Sequence, residues 1–510
     1  RDVDTQGRMY LRVDWDKNQA LWGNYSTGFT GTELAQYQRS LYGAALSWRS
    51  NDTTPLGDAR SQLRVFGSEA NTAHGHSEFI GTGGSLYYLR HTDVLPGSEA
   101  VVLEVRDRAT GRTLSRSNLV AGADYEIDSY QGRIITRRPL AQIANENRTS
   151  ITKDSPLDGY EQRLLVDYEY APVGLGDAMT AGVRGKQWLG DHLAVGGTYV
   201  DERREGDDYL LKGVDVTLQA GRGTYVKVEH SESESTSAPV FFSDNGGLSF
   251  TQLNPSLARK GKATGVELRA NLKEQGITDK AWSLGGWWRE VEAGYSSART
   301  DYLGQDVTEY GAEVLGEITP DVSLYAKHSR AERGSEALTQ TQVTAEWRMD
   351  DERALTAEVR RIVEDRDSGQ GIGTLGALKY SHRVTPSLEL YGIGQTTLSD
   401  DGGRYAKNDA ITAGASYLFG EQSTVTGEAT HGSRGDAFTL SGEYKLTPEH
   451  SFYGAYTAST DTTQHDGLFN RNKVPGWTMG QRWRLSERTN IFNESQYLKD
   501  PKSGSGLRSE

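Results

Sequence analysis

The sequence predicts an all-β fold: a large antiparallel transmembrane β-barrel of about 24 or more strands with a small β-sandwich-like periplasmic insertion. Two observations predict it. Strand-like segments alternate between apolar and charged residues, and their connections alternate between short turns and long polar loops. Composition agrees, because 35% of the 510 residues are hydrophobic and 25% are charged. That is little apolar material for a soluble core of this size.

The stretch from Gln305 to Glu364 shows the alternation most clearly. Along one of its strands, Val343 and Trp347 share an apolar face, and Glu346 lies on the polar face. The polar face carries charges of both signs, which the packed core of a soluble protein would not accept. The pattern therefore predicts strands that separate lipid on one side from a wet lumen on the other.

The chain is predicted to divide into three parts. Residues 1–91 hold the first five barrel strands. Residues 92–161 interrupt the pattern with hairpin-like pairs and prolines, and we expect a β-sandwich-like insertion that lies in the periplasm or plugs the lumen. Residues 162–510 supply the remaining strands, with short periplasmic turns and long extracellular loops.

The strand count also predicts on which side of the membrane the two chain ends lie. It places both of them outside the cell, whereas single-chain barrels normally begin and end in the periplasm. The parity therefore predicts missing flanking strands, or a longer polypeptide cut at Arg1 and Glu510. The same count places the 92–161 insertion on the periplasmic side.

Composition excludes several classes of function. Cysteine is absent, which removes disulfides, thiol catalysis and thiolate metal sites. The net charge of −14 disfavours nucleic acid as a partner, because phosphate binding needs a basic surface. No run of about 18 apolar residues occurs, so the sequence predicts no transmembrane helix.

A short motif in the insertion carries a family resemblance. It reads Leu119-Val120-x-Gly122-x-Asp124-Tyr125-x-Ile127-Asp128, followed by Gly132-Arg133-Ile134. This 119–134 segment resembles one that recurs in large bacterial outer-membrane β-barrel proteins, including the barrel translocon of the type 9 secretion system. The resemblance implies a place in the outer membrane of a Gram-negative bacterium, and it brings no catalytic residues.

Motifs for catalysis or cofactors have simpler interpretations. Gly371–Gly376 matches a dinucleotide fingerprint literally, but an alternating strand follows it where the motif requires a helix. His74 and His76 could chelate a metal, yet no third ligand is near in sequence, so a loop pair is favoured. No Gly-x-Ser-x-Gly elbow supports a hydrolase. We expect no enzyme activity, no cofactor and no metal site.

Acidic loops offer a further candidate for metal binding. Asp400-Asp401-Gly402-Gly403 and the loop that holds Asp461 and Asp466 could bind calcium through carboxylates, but neither has EF-hand spacing. Solvated acidic loops are the favoured interpretation.

Charged residues on the polar strand faces are the candidates for a pore lining. Their simpler role is to solvate the lumen and to pair across strands. Collectively they would select what passes through the lumen. They are Glu267, Arg269, Lys273, Glu346, Arg348, Glu358, Arg360, Glu443, Lys445, Arg482 and Arg484.

A second set of residues is apolar where a solvated loop is expected. Four lie in the loop Ser235–Lys262 and two lie in the insertion, and we expect them to contact a plug or a partner protein. They are Phe241, Phe242, Leu248, Phe250, Tyr125 and Ile127.

Barrel size leads to the expected function. About 24 strands imply a diameter on the order of 45–50 Å, and an open hole of that width would abolish the membrane barrier. The sequence therefore predicts a gated conduit or translocon for a polypeptide or polymer. The alternative is a structural or adhesive scaffold that anchors surface or periplasmic domains. A TonB-type receptor would need an N-terminal plug that this stretch lacks. Expected partners are outer-membrane lipid or lipopolysaccharide, and plug, periplasmic or surface proteins.

Overall fold

A computed structural model describes residues 9–144, 148–172, 178–253, 260–298, 304–460, 476–500 and 504–509. Within them, regular structure is β apart from one short 3-10 turn at Asp401–Gly403. No helix in these ranges is long and apolar enough to cross a membrane. The predicted loop Thr300–Gly304 and the loop with Asp461 and Asp466 fall largely or wholly outside the described residues.

The chain begins with four antiparallel strands of a large sheet, each paired with the next. They are β1 (Leu11–Trp15), β2 (Asn18–Ser26), β3 (Ser40–Arg49) and β4 (Ser61–Ala70).

Eight strands then leave the large sheet. The strand β12 is the centre of their main sheet, between β5 and β7, and its Leu164-Leu165-Val166 run is fully buried because both of its faces are covered. The strands are β5 (Ala73–Ile80), β6 (Leu86–Tyr88), β7 (Ala100–Asp107), β8 (Thr113–Asn118), β9 (Tyr125–Asp128), β10 (Arg133–Thr136), β11 (Ile143–Ala144) and β12 (Tyr160–Tyr170).

The rest of the chain returns to the large sheet, except for two short strands. These two are β17 and β18, and β17 adds to the edge of β5 in parallel. The strands are β13 (Ala178–Leu189), β14 (Leu193–Glu202), β15 (Tyr209–Gly221), β16 (Thr224–Glu234), β17 (Val240–Ser243), β18 (Thr251–Leu253), β19 (Lys260–Asn271), β20 (Trp282–Val291), β21 (Val307–Thr319), β22 (Val322–Arg333), β23 (Glu336–Arg348), β24 (Arg353–Arg366), β25 (Gly369–Thr385), β26 (Leu388–Asp400), β27 (Ala410–Phe419), β28 (Ser423–Gly432), β29 (Gly435–Thr447), β30 (His450–Ser459), β31 (Gly476–Arg484), β32 (Asn490–Asp500) and β33 (Gly504–Ser509).

The large sheet, here called the wall, has 23 described strands and is antiparallel from β1 to β33. Its outward positions are apolar and open: the exposed fractions of Leu268, Val359 and Trp483 are 41%, 52% and 39%. The alternate positions face inward, as with Glu358 and Arg360, which are 2% and 5% exposed. An exposed apolar outer face around a polar interior confirms the predicted all-β, large antiparallel transmembrane β-barrel.

The other ten strands form the inner domain, defined as β5–β12 with β17 and β18. It consists of a seven-stranded and a three-stranded sheet. Its residues contact strands of the wall from β3 to β32, so the wall curves around it. The inner domain thus occupies the lumen.

The boundaries of this domain differ from the predicted 92–161 insertion. Segment 77–91, predicted as the fifth barrel strand, and Gln162–Tyr170, predicted as the sixth, both belong to the inner sheets. The wall therefore has four strands before the interruption. Because the wall has four strands here and not the predicted five, the chain stands at the opposite end of the barrel when the inner domain begins. The inner domain therefore leaves and rejoins the wall at the end that carries the long loops, not at the short-turn end as expected.

The connections follow the predicted asymmetry with exceptions. One end of the wall has tight turns such as 190–192, 320–321 and 386–387, although 50–60 and 272–281 are longer. The opposite end carries the long connections but also tight turns, one of which, 367–368, replaces the long loop predicted at Glu364–Gln370. We call these ends the short-turn side and the long-loop side.

Candidate functional site

The inner domain has an apolar core of its own. Phe79, Tyr87, Ile134, Leu164 and Tyr168 are each at most 1% exposed and pack in one cluster. All buried members of this cluster lie between β5 and β12, and none comes from the wall. The domain is therefore a separately packed unit inside the barrel.

One arginine joins the inner domain to the wall where the chain passes between them. Arg39, which precedes β3, pairs with Glu169 of β12 at 2.7 Å and with Glu202 of β14 at 2.9 Å. All three side chains are at most 4% exposed. Thr72 donates to Glu169 at 2.7 Å, next to the start of β5. We call Arg39, Glu169 and Glu202 the hinge cluster.

A second set of contacts involves the segment 148–159, which we call the latch segment. Glu358 of β24 accepts hydrogen bonds from the hydroxyl of Ser150 at 2.9 Å and from the backbone N–H of Thr152 at 3.0 Å. Arg360, two residues further along β24, pairs with Asp154 at 3.0 Å. The wall thus provides one anion and one cation to the same segment.

The latch segment also contacts two further wall strands. Lys153 forms an ion pair with Glu428 of β28. Its backbone N–H donates to the side-chain oxygen of Gln395 in β26 at 2.8 Å, and the Gln395 amide donates to the Lys153 carbonyl at 3.0 Å. These contacts are hydrogen bonds and ion pairs. Beside them, Ala109 of the inner domain packs against a small buried apolar cluster of the wall that includes Ile362 of β24.

The hinge cluster and the latch segment contact strands that are far apart along the wall. In the order of the sheet, β26, beside the latch, is the twelfth strand after β4, beside the hinge. A third contact lies further along the wall, where Thr478 of β31 donates to the Thr82 carbonyl at 2.9 Å and Glu494 of β32 accepts from the Ser85 N–H at 2.7 Å. The inner domain is therefore held at several points around the wall.

Buried charges run through the inner sheet as well. The carboxylate of Asp167 contacts His74 at 2.9 Å and His76 at 2.7 Å, and His76 also contacts Glu78 at 3.0 Å. Burial opposes the charged ring, but Asp167 and Glu78 outweigh it and raise the pKa of His76 to about 10. The predicted loop pair is thus a strand pair with carboxylate partners. No group of three or more His, Asp or Glu side chains in the described ranges is placed to hold a metal ion.

A second histidine of the inner domain has the opposite character. The His91 ring stacks on Tyr170, with centroids 3.8 Å apart, and contacts the Tyr168 hydroxyl at 2.7 Å. Burial, with Arg90 nearby, lowers the pKa of His91 to about 4. This ring is neutral at pH 7.

Ten of the eleven residues predicted to line a pore lie on wall strands. Lys273 instead lies in the 272–281 turn after β19. Three of the ten, Glu358, Arg360 and Arg482, contact the inner domain. The others pair along the wall or are exposed near strand ends: Glu267, Arg269, Glu346, Arg348, Glu443, Lys445 and Arg484.

The predicted plug or partner residues lie mostly in the inner domain. Phe241 of β17 stacks edge-on against His91 and Phe250, and Arg163 lies over the Phe242 ring. Tyr125 is 2% exposed in the core, and Ile127 packs against it. Leu248 differs, because it is 56% exposed. The loop from β16 to β19 therefore adds two strands to the inner sheet.

Sequence patterns did not indicate the residues that hold the domain in place. Arg39, Lys153 and Glu428 are separated by more than a hundred residues from each other in the chain. A buried ion pair between such distant positions leaves no local periodicity. Pro156 indicated a break in the strand pattern but not a contact with β28.

No protein-family model and no curated protein sequence matches the chain. Solved structures share its general form. The translocation pore of the P pilus usher PapC is 13% identical, with a TM-score of 0.38, over 89% of this chain and 83% of that one. PapC in an E. coli P pilus tip assembly intermediate gives 13% and 0.41, over 95% of this chain and 54% of that one. The copper transporter OprC gives 9% and 0.36, over 94% and 87%.

These likenesses are too distant to assign a function. The exposed apolar outer face and the polar lumen, seen directly in the strands, locate the protein. It is an outer-membrane β-barrel.

Proposed function

We propose that the protein is a gated conduit in the outer membrane of a Gram-negative bacterium, and that the inner domain closes its lumen at rest. One observation carries the proposal. The inner domain has its own apolar core, yet the contacts at the latch segment are hydrogen bonds and ion pairs. A domain held in this way can leave its seat without exposing an apolar core.

The energetics favour release at the latch over release at the hinge. Each latch hydrogen bond contributes about 0.5–1.5 kcal/mol net, because water replaces it when it breaks. The latch also contains ion pairs, but its carboxylates Glu428 and Asp154 are 11% and 23% exposed. The hinge carboxylates Glu169 and Glu202 are 1% and 4% exposed, and separating them from Arg39 would leave charges in this drier site at a cost of about 3–5 kcal/mol. We therefore expect the domain to swing about the hinge cluster as the latch segment detaches.

Lumen size supports a large cargo. A wall of 23 strands implies a backbone diameter on the order of 45 Å, which is far wider than a nutrient needs. A polypeptide or another polymer fits this width. A periplasmic or surface protein that binds the inner domain would supply the signal for opening.

Planar-bilayer recording tests this proposal. Replacing residues 73–170 with a short Gly-Ser linker should convert a closed channel into one with large, stable conductance. Heat-modifiable migration of the variant on gels controls for barrel folding. The full-length variant Lys153→Gln/Arg360→Gln, which weakens only the latch, should open intermittently. A folded deletion variant that conducts no ions would overturn the proposal.

A structural or adhesive scaffold remains the second candidate, and one observation favours it. The connections 27–39 and 292–298 fold inward and form an apolar cluster with the wall, in which Phe29 and Tyr295 are 1% exposed. Such packing suits a permanently filled lumen. This candidate predicts that latch variants conduct no more than the wild type.

A further inference from the structure

A group of cations occupies one part of the inner wall face. Arg49, Arg64, Lys186 and Lys227 each lie within four residues of the short-turn end of their strands, β3, β4, β13 and β16. Arg184 of β13 lies directly opposite Arg64 in the β4–β13 register. We call these five residues the basic cluster.

Four members of the cluster form no ion pair with any described residue. In the described part of the chain, no carboxylate lies within 4.0 Å of the charged groups of Arg49, Arg64, Lys186 or Lys227. Arg64 donates only to the Gly28 carbonyl, at 2.8 Å. The lysines approach aromatic rings instead: Lys186 lies 5.2 Å from the Trp188 ring and Lys227 lies 4.7 Å from the Tyr225 ring.

The carboxylates that face the cluster are fewer than its cations. Four carboxylates face the five cations. Asp215 of β15 is taken by Arg184, at 2.8 Å, and Asp58 comes from the 50–60 connection toward Lys186. Glu267 lies directly opposite Lys227 and also pairs with Arg269 at 3.4 Å. Glu229 accepts from the backbone N–H groups of Glu33 and Leu34. The cluster therefore keeps an excess of positive charge. This excess stands in a chain whose net charge is −14.

The rest of the wall shows that such an excess is not its usual arrangement. Arg269 pairs with Glu313 at 2.6 Å and Arg289 pairs with Glu309 at 2.9 Å. Like charges placed directly opposite on neighbouring strands, as Arg64 and Arg184 are, destabilise a sheet. The two arginines keep this loss of stability at positions that face the lumen. This indicates that their charges act on something outside the chain.

Space for a solute adjoins the cluster. A cavity of about 360 Å³ lies between the wall and the inner-domain segment Leu95–Ala100. Arg64 lines it together with Arg12 and the polar side chains of Gln19 and Asn24. Guanidinium groups beside such a cavity can bind carboxylate, sulfate or phosphate through paired hydrogen bonds.

We propose that the basic cluster binds anionic groups of the cargo at the short-turn mouth and makes the conduit prefer anions. The inference rests on the proposed conduit for its role in transport, whereas binding itself does not. Clefts lined by one sign of charge concentrate counter-ions and speed their capture.

Binding of fluorescent dextran sulfate to the wild-type protein in detergent tests the cluster without requiring conduction. The variant Arg49→Gln/Arg64→Gln/Lys186→Gln should bind at least about fivefold more weakly. The control Arg203→Gln/Lys260→Gln/Lys262→Gln removes the same charge from side chains that are 71%, 74% and 59% exposed in the long-loop region, and it should bind as the wild type does. Equal binding by the two variants, or none by the wild type, would overturn the inference.

Ion selectivity of the latch variant Lys153→Gln/Arg360→Gln provides the second measurement. In a KCl gradient its reversal potential should show preference for chloride, and adding the three cluster substitutions should abolish that preference. Conductance with no chloride preference contradicts the basic cluster's role. Absence of any conductance contradicts the conduit, and the binding assay then decides the cluster alone.

Discussion

At the scale of single residues, the seat of the inner domain depends on buried charges that have few alternatives to their present partners. Arg39 lies between carboxylates of the wall and of the inner domain, each at most 4% exposed. Glu202 has a second partner, Arg204, at 2.7 Å, whereas Glu169 depends on Arg39 and Thr72. Losing Arg39 therefore leaves one carboxylate without a cation in a dry site.

Replacing Arg39 with Met should loosen the inner domain by about 3–5 kcal/mol, because a buried carboxylate loses its counter-ion. The chain has no cysteine, so Ser77→Cys, at a fully buried position of β5, can report opening through its alkylation rate. The triple variant Arg39→Met/Glu169→Gln/Glu202→Gln should recover much of the loss. Arg203→Met, at a side chain 71% exposed, serves as control, and equal loosening by it would contradict this role for Arg39.

A pH prediction follows from His76. Its folded-state pKa of about 10 lies above the ordinary value of 6.5, so the network contributes fully below about pH 6.5 and loses its contribution as pH rises through 10. The same thiol reporter, corrected for intrinsic thiol reactivity, should show the inner domain weakening by about 5 kcal/mol on this rise. His76→Gln should flatten the profile. His431→Gln, 84% exposed, should not, and a shared profile for both variants would contradict the assignment.

At the scale of elements, the loop between β16 and β19 connects the wall to the inner domain, because it contains β17 and β18. Phe250 packs against the inner core, 5.9 Å from the Phe79 ring. Leu248, two residues earlier, is 56% exposed. The pair offers a matched comparison within one loop.

We expect Phe250→Ser to detach β17 and β18, because it removes about 1–2 kcal/mol of apolar contact from a short segment. Cleavage by protease within 235–253 should rise markedly. Leu248→Ser should leave the cleavage rate unchanged. Equal sensitivity of the two variants would show that the segment is not docked through Phe250.

Sequence periodicity identified the wall elements better than it identified the inner ones. Strands such as β23 and β24 have a period of two with unlike faces, which lipid and lumen impose on every wall strand. The segments of β5 and β12 are also extended, and nothing local distinguishes a strand that pairs with the wall from one that pairs with β12. Which strand pairs with which depends on residues far away in the chain. The inner-domain boundaries and the hinge cluster therefore could not be predicted from the sequence.

At the scale of the whole molecule, the barrel presents one apolar surface to its surroundings and one polar surface to its lumen. Val359 of β24 belongs to the outer surface and is 52% exposed, while its neighbours Glu358 and Arg360 contact the latch segment. Of these three consecutive residues, the middle one faces lipid and the two on either side of it contact the inner domain. This arrangement joins membrane location to closure of the lumen.

Val359→Arg should cost about 2–4 kcal/mol of folding free energy in lipid vesicles, since an arginine at the lipid face must be desolvated. Urea titration of vesicle-embedded protein measures this cost. Ile277→Arg, in a turn and at a side chain 71% exposed, should cost nearly nothing. If both variants unfold at the same urea concentration, the outer face does not meet lipid.

The most direct test of the central claim locks the inner domain to the wall. A β carbon built on Gly83 would lie 3.9 Å from that of Thr478 in β31, a separation that suits a disulfide, but 2.7 Å from that of Ala455. Ala455→Gly removes this clash, and the left-handed backbone at Gly83, with φ +83°, costs a cysteine about 1–2 kcal/mol. Gly83→Cys/Thr478→Cys/Ala455→Gly, combined with Lys153→Gln/Arg360→Gln, should record no conductance in planar bilayers when oxidised. Reductant should restore the openings of the latch variant. Equal conductance in the oxidised and reduced states, with the disulfide verified by mass spectrometry, would contradict a gate formed by the inner domain.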